Sequence, residues 1–271
     1  TMILTTEQSN ELFNNGITRY KNLLSLDEIN LVKKIIKSHS GVKTNKDTFF
    51  PTSLKSYLIK FIKADFIKIK QGLIFKNLSK KKKLKEISDY FFKEKSYLKM
   101  IDGYCSPISN KNFLEWHCDQ SYSNKTEVEK ILHPKNRHLK FFIYLTAVKS
   151  DNGCMCYIPK SHRIAYALKM GIIEKKIEYQ KFQYLKDFRS LVSMKNNHSY
   201  INNFLKDKNI VDNFLENTKF IENNSDTKQY DYDMEPGDAI IFDENGIHKG
   251  SRILENERIV LRFFFSTKNQ N

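Results

Sequence analysis

Trp116-His117-Cys118-Asp119 sets a histidine and an aspartate two residues apart. On an extended strand, residues i and i+2 point to the same side, so His117 and Asp119 present their side chains together while Cys118 points away. Phe113-Leu114-Glu115-Trp116 leads into the pair as an alternating strand, and Gln120-Ser121-Tyr122-Ser123-Asn124 reads as the loop that ends it. Far downstream, His248 follows the turn Glu244-Asn245-Gly246. The three together form a two-His, one-carboxylate set, which occupies one face of Fe(II) and leaves other positions open. A histidine so distant in sequence meets the pair only from another strand, which a closed or folded-over sheet provides. Arg258, ten residues beyond His248, offers a planar cationic fork for a carboxylate.

The flanking patterns agree with such a sheet. Glu235-Pro236-Gly237-Asp238 makes a turn, Ala239-Ile240-Ile241-Phe242-Asp243 a short apolar strand, and residues 257–265 a long closing strand. Residues 97–104, 113–118, 138–148 and 153–158 read as the central strands. At the start, Thr6 is placed to cap a helix over 7–15 that Gly16 ends, followed by a strand over 17–24. Ser25 and Glu28 form a capping box, and Ile29, Val32, Ile35 and Ile36 recur at helical spacing behind it. Leu54, Leu58, Phe61, Ile62, Phe66 and Ile69, then Leu84, Ile87 and Phe91, predict two helices on a sheet face between 53 and 95. Helices first and short strands later, without βαβ alternation, predict a mainly β fold with helical buttresses around a jelly-roll-like double sheet.

Five segments carry a family resemblance. They are Phe13 to Ile17 with Lys21 to Ile29; His117-Cys118-Asp119; Leu145-Thr146-Ala147-Val148 with Asn152-Gly153-Cys154-Met155 and Ile158-Pro159-Lys160-Ser161-His162-Arg163; Pro236-Gly237-Asp238 to Phe242; and His248 to Phe264. With these the chain resembles the phytanoyl-CoA dioxygenase family of Fe(II)/2-oxoglutarate oxygenases. The resemblance does not extend over 40–95 or 164–228. It implies a double-stranded β-helix of the cupin-like kind, and Fe(II), 2-oxoglutarate and O2 as cofactors. It further implies hydroxylation of a small molecule with release of succinate and CO2, and iron ligation by His117, Asp119 and His248. Arg258 is nearest the family's spacing for the residue anchoring the cosubstrate; Arg262 shares its strand parity and stands in reserve. Met100 and Leu145 match positions that border the cosubstrate. Tyr104, on the parity of Met100, offers a phenol to a carboxylate. The family usually places a cosubstrate-side serine two residues after the distal histidine; Ser251 here, at three, is the candidate for that place. A carboxylate at Asp119, in place of a small residue, favours hydroxylation over halogenation.

At 271 residues, with 40% hydrophobic residues, 20 Phe and 14 Tyr, the chain suffices for one large domain over 1–271 with a sizeable core. Residues 164–228, with apolar positions at helical spacing and loops expected at Asn196-Asn197-His198-Ser199 and Asn223-Asn224-Ser225-Asp226, read as an inserted helical lid. No apolar run approaches the roughly 20 residues of a membrane span. The opening residues lack the pattern of a secretory signal, and the four cysteines form no CxxC pair, so a reducing cytoplasm is the expected setting.

The net charge of +15, carried mostly by lysine in a sequence rich in Asn and Ile, is first what an AT-rich genome would produce; a functional basic field would favour an anionic or carrier-linked substrate, with Arg163, Lys169 and Arg189 as candidate contacts. Lysine dominates the excess, only seven residues being arginine, and no nucleic-acid-binding module accompanies it. The run Lys80-Lys81-Lys82-Lys83 reads as a solvated helix end. A non-catalytic binding protein on the same barrel, or a basic nucleic-acid or membrane-surface binder, is the alternative reading. The oligomeric state is not legible.

Overall fold

The computed structural model describes residues 4–39, 48–112, 114–119, 137–221 and 228–267. The loop expected at 120–124 and the one at 223–226 lie outside these residues. The strands are β1 (Ile17–Tyr20), β2 (Thr48–Phe50), β3 (Tyr97–Ser106), β4 (Leu114–His117), β5 (His138–Tyr144), β6 (Met155–Tyr157), β7 (Asp231–Tyr232), β8 (Ala239–Asp243), β9 (His248–Gly250) and β10 (Arg258–Ser266). They pair antiparallel into a six-stranded sheet, β1-β8-β5-β10-β3-β2, and a four-stranded sheet, β4-β9-β6-β7. The helices are α1 (Thr6–Asn15), α2 (Leu26–His39), α3 (Leu54–Ile62), α4 (Phe66–Lys81), α5 (Leu84–Phe92), α6 (Ser161–Ile173), α7 (Leu185–Ser193), α8 (Lys195–Leu205) and α9 (Ile210–Asn217). The expected antiparallel double sheet with helical cover is present.

Alternation along the strands of the large sheet builds two cores. Leu139, Phe141 and Ile143 of β5, with Ile259, Leu261 and Phe263 of β10, face outward onto α1, α2, α4 and α5. The intervening Phe142, Tyr144 and Val260 face inward, where they share a second cluster with Trp116 and Met155 of the small sheet and with α6–α9. Lys140 and Arg262 also have this inward parity. A half-buried polar row therefore runs along an otherwise apolar face.

Local signals account for most element ends. Gly16 ends α1 in the left-handed region at φ 83°, and an added Cβ would meet the His162 ring at 2.4 Å. The cap of α1 is Thr5, one residue before the expected Thr6, because the Thr5 hydroxyl accepts the Gln8 N–H while the Gln8 side chain returns to the Thr5 N–H. The strand expected over 17–24 shortens to β1. Three helices, not two, fill 53–95, because the turn Lys63-Ala64-Asp65 breaks the run and Asp65 caps α4. The second correction there concerns packing: α3 buries none of its residues, and Leu54, Leu58, Phe61 and Ile62 face solvent. Residues 196–199, expected to loop, lie inside α8, where the buried Asn197 amide donates to Leu191 O at 2.8 Å and joins α8 to the end of α7.

The Ser25/Glu28 capping box forms, and Glu28 also receives Lys81 and Lys82 from the end of α4, each at 2.7 Å. Burial alone would raise the Glu28 pKa, but these two lysines and the Ser25 N–H bring it down to about 2. A carboxyl depressed in the folded state contributes stability above its unfolded pKa and loses it as pH falls toward the folded value. Glu28→Gln is therefore expected to destabilise the protein by about 1 kcal/mol at pH 7 in urea unfolding. The difference from wild type should shrink between pH 4.5 and pH 2.

Candidate metal centre

His117 closes β4 and His248 opens β9, and the two stand opposite each other in the register of the small sheet. Their rings lie 4.4 Å apart between centroids, and both Nε2 atoms are 3.5 Å from Asp119 carboxylate oxygens. Each Nδ1 faces a backbone carbonyl, Glu115 O at 2.7 Å for His117 and Gly246 O at 2.9 Å for His248. A carbonyl only accepts, so Nδ1 carries the proton in both rings and each Nε2 presents a lone pair. Two lone pairs and a carboxylate converging without a proton between them are stable around a cation. This donor set fits a divalent metal of the Fe(II) kind. Burial favours neutral imidazole at His248, lowering its pKa toward the ligating form. Cys118 points away as the alternation requires, its thiol against Asn245 O at 3.0 Å, and burial pushes that thiol up to about 12.

The turn that delivers His248 is built by close approach. A Cβ on Gly246 would meet the Tyr157 hydroxyl at 1.9 Å, and that hydroxyl donates to Asp243 O at 2.9 Å while the ring stacks on His248. Ser161, from the Pro-Lys-Ser-His-Arg segment, accepts the Ile247 N–H at 2.8 Å and donates to Ile158 O at 2.6 Å. That segment thus fixes the backbone beside the distal histidine. His162 is buried against Gly16, with Nε2 3.3 Å from Phe13 O.

The trio opens onto a cavity of about 130 Å³ between the two sheets, also lined by Tyr104, Lys140, Tyr144, Phe242, Arg258 and Arg262. This is below the roughly 300–1,000 Å³ of pockets that enclose drug-sized ligands, so it suits a small cosubstrate. Arg258 is buried and donates to Gly153 O at 3.0 Å and Ser106 Oγ at 3.4 Å. Arg262 is committed differently, forking onto Asp102, whose side chain is fully buried. Tyr104 lies beneath both guanidiniums, its ring centre 5.8 Å from Arg258 and 4.7 Å from Arg262. The Tyr144 hydroxyl, fully buried on the same cavity, has no hydrogen-bond partner among the described residues.

Three expected cosubstrate neighbours are placed elsewhere. Leu145 shares the parity of Leu139, Phe141 and Ile143 and packs in the outer core under the helices. Ser251 is buried with its Oγ 3.5 Å from Cys154 Sγ, and Gly250 occupies the cavity side two residues after His248. Met100 pairs with Phe264 on β10 and does not line the cavity.

Sequence reasoning missed Lys140. It pairs with Asp119 and, at 3.1 Å, with Glu244, which in turn pairs with His138. Burial would raise the Asp119 pKa, but the Lys140 charge and the two histidines beside it together outweigh burial and hold the carboxyl well below its usual range. The signal was available: a lysine in the apolar strand His138-Leu139-Lys140-Phe141-Phe142-Ile143-Tyr144, on the parity of Phe142 and Tyr144. Lys140→Met leaves the buried Glu244 and the half-buried Asp119 without this cation. We expect about 3–5 kcal/mol of destabilisation in metal-free protein. Much of it should return on adding Mn(II) or Ni(II), which offsets Asp119, as urea unfolding with and without metal would show. Equal losses in both conditions would mean that Lys140 compensates Glu244 and not the metal carboxylate.

The family model of phytanoyl-CoA dioxygenase (PhyH) matches residues 14–257. The chain belongs to the phytanoyl-CoA dioxygenase family. No curated protein matches it in sequence. Among solved structures it resembles HygX from Streptomyces hygroscopicus with iron bound, at 14% identity and TM-score 0.57, covering 97% of this chain and 87% of that one. The same protein with nickel and 2-oxoglutarate bound gives 13% identity and TM-score 0.55 over the same shares. The carbocyclase SnoK from nogalamycin biosynthesis matches at 10% identity and TM-score 0.53, over 98% of this chain and 86% of that one. The epimerase SnoN, in complex with Fe3+, alpha ketoglutarate and nogalamycin RO, matches at 8% identity and TM-score 0.52, over 96% and 82%. At such identities the likeness speaks for the fold.

Proposed function

We propose that this protein is an Fe(II)/2-oxoglutarate-dependent dioxygenase that hydroxylates a small molecule. The observation that carries the reading is the proton-free convergence of His117 Nε2, His248 Nε2 and the Asp119 carboxylate. His117, Asp119 and His248 would hold the iron. Arg258, with the Tyr144 hydroxyl beside it, would receive the carboxylate of 2-oxoglutarate that lies away from the metal. Iron and 2-oxoglutarate together supply oxidative decarboxylation coupled to attack on a C–H bond. The protein's part is placement: Glu115 O and Gly246 O fix the imidazole tautomers, Lys140 fixes the aspartate, and Phe242 and Met155 keep the cavity walls apolar.

The fold alone does not select hydroxylation, since an epimerase and a carbocyclase share it. The carboxylate at Asp119 supports it over halogenation. The insertion over 164–228 approaches the metal strand where Gln183 O accepts the Cys118 N–H at 2.8 Å and Tyr184 bridges His117. We place substrate selection there. Two of the basic residues expected to greet an anionic substrate serve inside the helices instead. Lys169 is buried and donates to Asn245, and Arg189 donates to Leu215 O at 2.6 Å and to Thr218. Succinate release from 2-oxoglutarate with Fe(II), measured across a panel of anionic and carrier-linked small molecules, tests the reading. Stimulation by one class, with an added hydroxyl detected by mass spectrometry, is expected. Stimulated succinate release with a product of unchanged mass would point to epimerisation.

A further inference from the structure

The hairpin of α3 and α4 is displayed in a way the metal centre does not explain. Leu54, Ile62 and Ile67 are 87%, 73% and 67% exposed. The Phe61 and Phe66 rings meet edge to face at 5.8 Å across the turn Lys63-Ala64-Asp65, so Phe61, Ile62, Phe66 and Ile67 form one apolar cluster at the end of the hairpin. The hairpin is not loosely held. Both helices carry side-chain caps, Ser53 on α3 and Asp65 on α4, and the inner side of α4 buries Phe75 and Leu78 in the outer core. Its outer face is thus a fixed feature of the surface, and contiguous exposed apolar area of this kind marks an interaction site.

Charge indicates the partner. Residues 54–76 hold six lysines and one acidic residue, Asp65. Asp65 is already engaged, accepting the Lys68 N–H at 3.2 Å and pairing with Lys60 at 3.1 Å. A symmetric pair of copies meeting on this face would bring lysines against lysines. The apolar cluster sits on an exposed turn, with Phe61, Ile62, Phe66 and Ile67 all facing solvent, so a protein partner would need a matching cavity. An exposed apolar cluster on a lysine-rich hairpin instead suits the boundary between headgroups and acyl chains. There the Phe, Ile and Leu side chains enter the bilayer, while lysines extend to anionic headgroups. Among the described residues no helix is long and apolar enough to cross a membrane, so this contact would be peripheral.

We propose that the α3–α4 hairpin seats the protein on an anionic lipid surface through Phe61, Ile62, Phe66 and Ile67. The test is sedimentation of the full chain with vesicles of phosphatidylcholine alone or with one quarter phosphatidylglycerol, alongside light scattering without lipid. Binding is expected with the anionic vesicles and weakly with the neutral ones. Replacing Phe61, Ile62, Phe66 and Ile67 together by Ser should abolish it, and Ile62→Ser alone should weaken it severalfold. Lys55→Gln with Lys63→Gln should weaken it on the order of tenfold. These side chains are exposed, so the thermal melting of each variant should stay close to wild type; if the fourfold variant melts early, Ile62→Ser decides. No binding to either vesicle would overturn the proposal and leave an acidic protein as the partner class. So would apolar variants that bind as tightly as wild type. A lipid-free dimer that the Ser variants dissociate would assign the face to self-association.

Discussion

Asp119→Ala protein supplied with Fe(II) and 2-oxoglutarate is expected to bind no iron at stoichiometric concentration and to release no succinate. His117→Ala and His248→Ala should do the same. Losing a partner that merely orients a ligand typically costs 10–100-fold in metal affinity or activity, and losing a ligand itself should cost more. Asp119 also supplies the negative charge of the trio, so its removal leaves two neutral imidazoles and the Lys140 ammonium facing the metal. The fold should survive, because the apolar clusters on either side of the large sheet do not depend on these three side chains. Circular dichroism and metal analysis on the same preparations separate the two effects. Among the described residues, Cys154, Cys156 and Asp231 form a second group close enough to hold a metal. One iron per chain retained by all three variants would refute the assignment and direct attention to that group.

Arg258→Ala is expected to raise the apparent 2-oxoglutarate constant by one to several factors of ten with the metal content unchanged. Each charge-assisted hydrogen bond lost is worth roughly 1.5–3 kcal/mol, and about 1.4 kcal/mol corresponds to tenfold. Lys should substitute poorly, since it presents a point charge where a planar fork is needed. Arg262→Ala should behave differently. It strands the fully buried Asp102 carboxylate, so the expected loss is about 3–5 kcal/mol of stability, with a smaller change in cosubstrate affinity. A large rise in the constant for Arg262→Ala and none for Arg258→Ala would exchange the two roles.

Asp102 shows where reading the sequence stops. An aspartate in Tyr97–Ser106 looks like a solvent-facing strand residue. Only the pairing of β3 with β10 places it opposite Arg262 and makes it a buried counter-ion. Leu145 teaches the reverse. Its family position suggested the cosubstrate, yet simple parity with Leu139, Phe141 and Ile143 already assigned it to the helix-covered face. The α3–α4 hairpin is a third case. Its apolar spacing was legible as helix, but periodicity cannot say whether an apolar stripe meets a core or the outside.

The sequence by itself brought out the His117 and Asp119 pair, through its i, i+2 spacing, and the double-sheet architecture that brings His248 beside it. It also determined the Ser25/Glu28 cap and the Gly16 stop, because these are decided by residues a few positions apart. Tertiary structure alone decided the Lys140–Asp119–Glu244 chain, the commitment of Arg262 to Asp102 while Arg258 meets Gly153 O, and the approach of Gln183 to Cys118. Each of these depends on which distant strand lies opposite and how deeply the pair is buried. Burial and partnership set the energy of a charge far more than its identity does.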